Sequence, residues 1–215
     1  MRSRTGVAIG VFLILAGVLV FLQNLGVLAA GAEAMVGALF GLLFAAGGII
    51  FLLVFLGNRE SWWALIPGFT LLGLGLLVLV GAFAPGLAGG WLGGVFLGMI
   101  GLSFLIVFLV KPENWWAIIP GGTLLTLAVI ATLAQTLGGL NSGGVFFLGM
   151  ALTFGLVYLA IPAHEGRSWA LIPAGIMAIM GLGLLAAAVE LVRFVWPLAL
   201  LAAGCYLLLR ALRRA

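Results

Sequence analysis

The chain has 215 residues, of which 66% are hydrophobic and 7% charged, with a formal net charge of +4. Ordinary globular domains are about 45–50% apolar and about 25% charged, and a soluble fold of this size must still cover itself with polar side chains. The composition therefore excludes a soluble domain and predicts an integral membrane protein. The single cysteine, Cys205, excludes a disulfide scaffold, and nine Lys and Arg spread along the chain form no run suited to nucleic acid.

A helix needs about 20 apolar residues to cross the hydrocarbon layer, and the chain supplies eight such runs. They lie at 6–25, 35–56, 67–84, 92–110, 120–137, 144–161, 173–189 and 195–209. Each is apolar on every face, unlike the alternating segments of about 10 residues in a membrane barrel. The predicted fold class is all-α: a polytopic bundle of eight transmembrane helices forming one domain over residues 1–215.

The first run follows Arg2 and Arg4 and precedes Ala30-Gly31-Ala32, so it has a rival reading as a cleaved signal peptide. It is longer than the usual apolar core of such peptides, which favours a retained span. With the N-terminus cytoplasmic, Arg2, Arg4, Arg59, Lys111, Arg167, Arg210, Arg213 and Arg214 fall inside and only Arg193 outside. That bias predicts both termini in the cytoplasm.

The second, fourth and sixth runs each lead into a repeated phrase. Trp62-Trp63-Ala64-Leu65-Ile66-Pro67-Gly68 returns as Trp115-Trp116-Ala117-Ile118-Ile119-Pro120-Gly121 and as Ser168-Trp169-Ala170-Leu171-Ile172-Pro173-Ala174, with Trp63, Trp116 and Trp169 spaced by 53 residues. The likeness extends backwards, since Gly48, Phe51, Val54, Phe55 and Leu56 recur as Gly101, Phe104, Val107, Phe108 and Leu109. In the third copy, Gly93-Gly94-Val95-Phe96 returns as Gly143-Gly144-Val145-Phe146 at a spacing of 50, and the loop that follows is longer. Such a period spans two helices and their loops, so it predicts internal two-helix repeats of one orientation.

The tryptophans read as anchors at headgroup depth. Pro67, Pro120 and Pro173 read as the openings of the next helices, where a missing N–H costs nothing; a kink opening a cavity is the alternative. Glycine, with 34 residues, recurs at helix-contact spacing in Gly6/Gly10, Gly37/Gly41, Gly94/Gly98 and the small-residue pair Gly183/Ala187. These predict close helix packing, and homo-oligomer contacts could use the same surfaces.

Chemistry-bearing residues are few. The Asp, Glu, Lys and Arg residues all fall in loops, tails or span ends, which argues against ion-coupled transport. The deepest polar groups are Ser103, Thr123, Thr126, Thr132, Thr153 and Tyr158, whose expected partners are their own helix carbonyls or neighbouring helices. His164, the single histidine, stands beside Glu165 with no nucleophile or metal-ligand spacing around it. No cofactor, metal or catalytic residue is expected, and the protein is not predicted to be an enzyme.

Arg59 with Glu60, Lys111 with Glu113, and His164, Glu165 and Arg167 form short charged loops that could dock a cytoplasmic partner. Glu190 and Arg193 can pair at the outer end of the seventh span. Trp196 opens the last span as Trp-Pro.

The terminal runs carry a family pattern. Residues 10–26 end in Asn24-Leu25-Gly26, and residues 196–210 open with Trp196-Pro197 around a central Gly204. Together they resemble the two helices of the LiaI/LiaF-like transmembrane domain of bacterial envelope proteins, though here six other expected spans separate them. The resemblance implies a multi-pass protein of the bacterial inner membrane, concerned with sensing envelope stress through a partner. The expected role is non-catalytic: an accessory subunit or partner-binding component in contact with the bilayer and with another membrane protein or further copies of itself. A carrier of lipid or another hydrophobic small molecule is the alternative.

Overall fold

The computed structural model describes residues 31–87, 89–133, 142–162 and 166–188, together with a few isolated helical positions near either end. Six α-helices fill these stretches: α1 (Ala32–Gly57), α2 (Leu65–Phe83), α3 (Trp91–Val110), α4 (Ile118–Leu133), α5 (Ser142–Ala160) and α6 (Leu171–Ala188). With their entry turns, all six are long and apolar enough to cross a membrane. The shortest, 19 residues, rises roughly 28 Å at about 1.5 Å per residue, close to the thickness of the hydrocarbon core.

Their outward faces are as apolar as their contacts. Leu39, Leu42 and Leu53 on α1 and Ile172 and Ile179 on α6 are all more than half exposed, which suits lipid and not water. The expected spans at 6–25 and 195–209 lie outside the described residues apart from isolated positions, as do Gly6, Gly10, Glu190, Arg193 and Trp196.

The chain divides into two compact units at Leu92/Gly93. In the first, α1 and α2 form an antiparallel hairpin locked by glycine. A Cβ on Gly75 would lie 2.8 Å from the Gly41 carbonyl oxygen, and one on Gly48 would lie 2.8 Å from that of Gly68. Backbones this close are available only without side chains between them, and they gain dispersion contacts where lipid gives no hydrophobic drive. At the turn, Asn58 is extended and its Oδ1 accepts the Glu60 N–H at 3.0 Å. Its carbonyl accepts the Ser61 N–H at 2.9 Å.

The second unit holds α3 to α6. Gly94 on α3 meets Thr132 and the Ala128 carbonyl of α4, and Gly101 meets the Gly121 carbonyl and Leu125. The α5–α6 pair closes where Gly144 faces Leu185 and Gly181 faces Leu148. Between α4 and α5, threonines fill glycine notches in both directions: a Cβ on Gly122 would run into Thr153, and one on Gly149 into Thr126. Near one end of these helices, Ile118, Val157, Ile161 and Ala170 make a buried core against which Phe108, Trp115 and Tyr158 pack.

Two expectations shift. The helices after the Trp phrases begin at Leu65, Ile118 and Leu171, two residues before the prolines, because the Trp segments wind as 3-10 turns (Trp62–Ala64, Pro112–Ala117, Arg167–Ala170) that run directly into them. Each proline is thus the third residue of its helix, still in the first turn where its missing N–H breaks no α-helical bond that the chain needs. The Gly183/Ala187 pair is not a contact among the described residues: nothing lies within 4 Å of a Cβ placed on Gly183, and Ala187 is exposed. The contact on α6 is made by Gly181 and Leu185, about 200° around the helix from Gly183 at ~100° per residue.

Candidate functional site

The expected anchors stand at helix entries: Trp62 and Trp63 at that of α2 in the first unit, and Trp115, Trp116 and Trp169 as an aromatic layer at those of α4 and α6 in the second. In each, one tryptophan of the phrase makes an edge-to-face pair with a phenylalanine of the preceding helix. Trp63 meets Phe51 at 6.0 Å and 78°, Trp116 meets Phe104 at 6.3 Å and 77°, and Trp169 meets Phe154 at 6.2 Å and 82°. Such perpendicular pairs align the positive ring edge with a negative ring face. All three tryptophans are exposed in part, at 51%, 39% and 41%, as suits amphipathic rings at a bilayer surface. The Trp116 Nε1–H donates to Asn114 Oδ1 at 3.3 Å.

Trp62 and Trp115 are more enclosed than their neighbours. Within the second unit, Trp115 lies 6.2 Å from Trp169 with planes tilted by 56°, so the α4 and α6 entries share one aromatic cluster. Pro67, Pro120 and Pro173 sit just inside these entries.

Each charged loop is placed next to the aromatic residues of its own unit. The Arg59 guanidinium lies over Phe55 at 4.8 Å, and that of Arg167 over Tyr158 at 4.6 Å. Stacking of this kind lets the arginine stem cover apolar surface while its charge stays at the interface. Glu60 is exposed at the α1–α2 turn, and Glu113 is exposed in the first turn of the Pro112–Ala117 segment. Lys111, half-buried, directly follows α3. His164 and Glu165 lie outside the described residues.

Sequence reasoning did not single out Phe154, and it read Tyr158 as a deep polar group, not as the ring beneath Arg167. Phe51 and Phe104 were visible in the repeated stretch before the Trp phrase, but their third counterpart is displaced by the longer loop.

Inside the helices the hydroxyls are already engaged. Thr70, Thr123, Thr126, Thr132 and Thr153 each donate to the carbonyl four residues earlier, at 2.7 to 2.8 Å, and Ser103 donates to Ile100 at 2.6 Å. Thr123 also approaches the Met150 sulfur at 3.3 Å. Among the described residues no group of three or more His, Cys, Asp or Glu could hold a metal ion. Among the described residues an apolar groove of about 450 Å³ lies along α4 and α5, floored by Gly122 and Gly149 and walled by Leu125, Leu152 and Leu156. No family model, curated protein or solved structure matches the chain.

Proposed function

We propose that this chain is a non-catalytic, multi-pass component of the bacterial inner membrane that works through its helix faces and short loops, as an accessory or partner-binding subunit. The observation that carries this reading is the state of its intramembrane hydroxyls. Ser103 and every described Thr donate to a carbonyl of their own helix, with Thr123 also reaching the Met150 sulfur, leaving little with which to bind or transform a polar substrate. The resemblance of the terminal spans to the LiaI/LiaF-like domain supports an envelope setting and a role in stress sensing through a partner.

The same proposal includes eight spans, both termini cytoplasmic, built around three two-helix repeats. Recurring geometry supports the repeat. The Phe–Trp edge pair occurs in all three copies. The Gly48/Leu72 contact has its counterpart in Gly101/Leu125, and Gly41/Leu79 has counterparts in Gly94/Thr132 and Gly144/Leu185.

Purification from native membranes in mild detergent, followed by mass spectrometry of what accompanies the chain, tests this reading. It predicts a protein partner in fixed stoichiometry. A chain that purifies alone and turns over a lipid substrate in a manner dependent on His164 or Glu165 overturns it. The carrier reading rests on the apolar groove, and it predicts one defined hydrophobic molecule per chain moved between membranes.

A further inference from the structure

The groove along α4 and α5 neighbours a second apolar hollow of about 360 Å³, and the two share Leu105, Ile118 and Leu156 in their linings. Together they are treated as one apolar slot. Its floor exists because the threonine-in-glycine notches bring the two backbones together, and its wall is the exposed side of α5, where Leu152 is 67% exposed. The two hydroxyls that line it, Thr126 and Thr153, donate to the Gly122 and Gly149 carbonyls at 2.8 Å, so the slot offers no unmatched polar group.

The slot runs out between Leu109 and Leu159. There α3 gives way to Lys111, and Arg167 returns over Tyr158 at 4.6 Å, one residue from Leu159 in sequence. Both cations are half-buried, while Glu113 on the same rim is exposed. An apolar slot, open to the side, whose lining helices α3 and α5 end towards Lys111 and the Arg167–Tyr158 stack, matches an amphiphile with an anionic head.

We infer that this slot is a binding site for an anionic phospholipid, one acyl chain lying along α4 and α5 and the phosphate facing Lys111 and Arg167. Basic side chains near an anionic headgroup contribute about 1 kcal/mol each, equivalent to about a fivefold preference per charge. The site goes beyond the proposed partner-binding role and stands whether or not a protein partner is found.

The test is native mass spectrometry of the full chain, purified in mild detergent and equilibrated with equal amounts of phosphatidylglycerol and phosphatidylcholine. One retained phosphatidylglycerol per chain is expected. Lys111→Gln and Arg167→Gln should each lower the preference over phosphatidylcholine about fivefold, with Arg167→Lys restoring it. Leu152→Trp, which fills the slot, should reduce retention of both lipids, while circular dichroism confirms that each variant keeps its helicity.

Equal retention of the two lipids overturns the inference. So does a preference unchanged in the Lys111→Gln/Arg167→Gln double variant, or retention unchanged by Leu152→Trp. If the slot is instead an interface between copies of the chain, dimers will appear that Leu152→Trp disrupts, and that result also overturns the lipid site.

Discussion

Whether a glycine is indispensable here depends on what faces it. Gly48 and Gly75 face the backbone of the partner helix, which cannot move aside as a side chain can. Gly155, in the middle of α5, faces open space. Gly48→Ala or Gly75→Ala should therefore cost about 1–3 kcal/mol through overpacking, whereas Gly155→Ala should be neutral or stabilising by up to ~1 kcal/mol because alanine favours helix. Unfolding in detergent measures both, and equal costs at the two kinds of site would contradict the packing described. This distinction was not legible in the sequence. The helices are apolar around their whole circumference, so no polar face marks which side packs, and glycine occurs on both sides. The small-residue spacing pointed to Gly183 with Ala187, whereas the fold makes its contact through Gly181. The destinations of the threonine hydroxyls were legible, because a hydroxyl in a membrane helix has a carbonyl of the preceding turn within reach and no water to prefer.

At the scale of elements, the hairpins are held by glycine contacts along their length and by an aromatic clasp at one end. The α4–α5 seam adds the reciprocal threonine notches. Gly149→Ala should cost about 1–3 kcal/mol alone and much less in a Thr126→Ala background, giving a coupling of about 1 kcal/mol or more in a double-mutant cycle. Strict additivity would mean that the two residues do not meet. The clasp differs between copies in a measurable way. Trp169 contacts both Phe154 and Trp115, while Trp63 has its described ring contact with Phe51. Trp169→Ala should accordingly destabilise more than Trp63→Ala, by about 0.5–1.5 kcal/mol for the additional pair. Helix existence and approximate limits were legible from apolar run length and from the Trp-Pro phrases. The 3-10 entries were not, since a proline signals a helix start without fixing how many residues wind before it.

For the whole molecule, the central claim is that successive helices cross the bilayer in alternating directions, which returns each Trp phrase to the same membrane face. The parity follows from connectivity: one complete helix pair separates Ser61 from Asn114, and another separates Asn114 from Ser168. The proposed topology, which rests on the charge bias, makes that face the cytoplasmic one. The proposed plan rests on the sequence period and the arginines, whereas the lateral slot depends on side-chain packing that neither feature encodes. The most direct measurement is labelling of single cysteines by a membrane-impermeant thiol reagent in intact cells, in a Cys205→Ser background. Ser61→Cys, Asn114→Cys and Ser168→Cys should all remain unlabelled until the cells are opened, while Gly86→Cys, between α2 and α3, should label from outside. If Ser61→Cys and Asn114→Cys label from opposite sides, or if Gly86→Cys shares their face, the alternating plan is wrong.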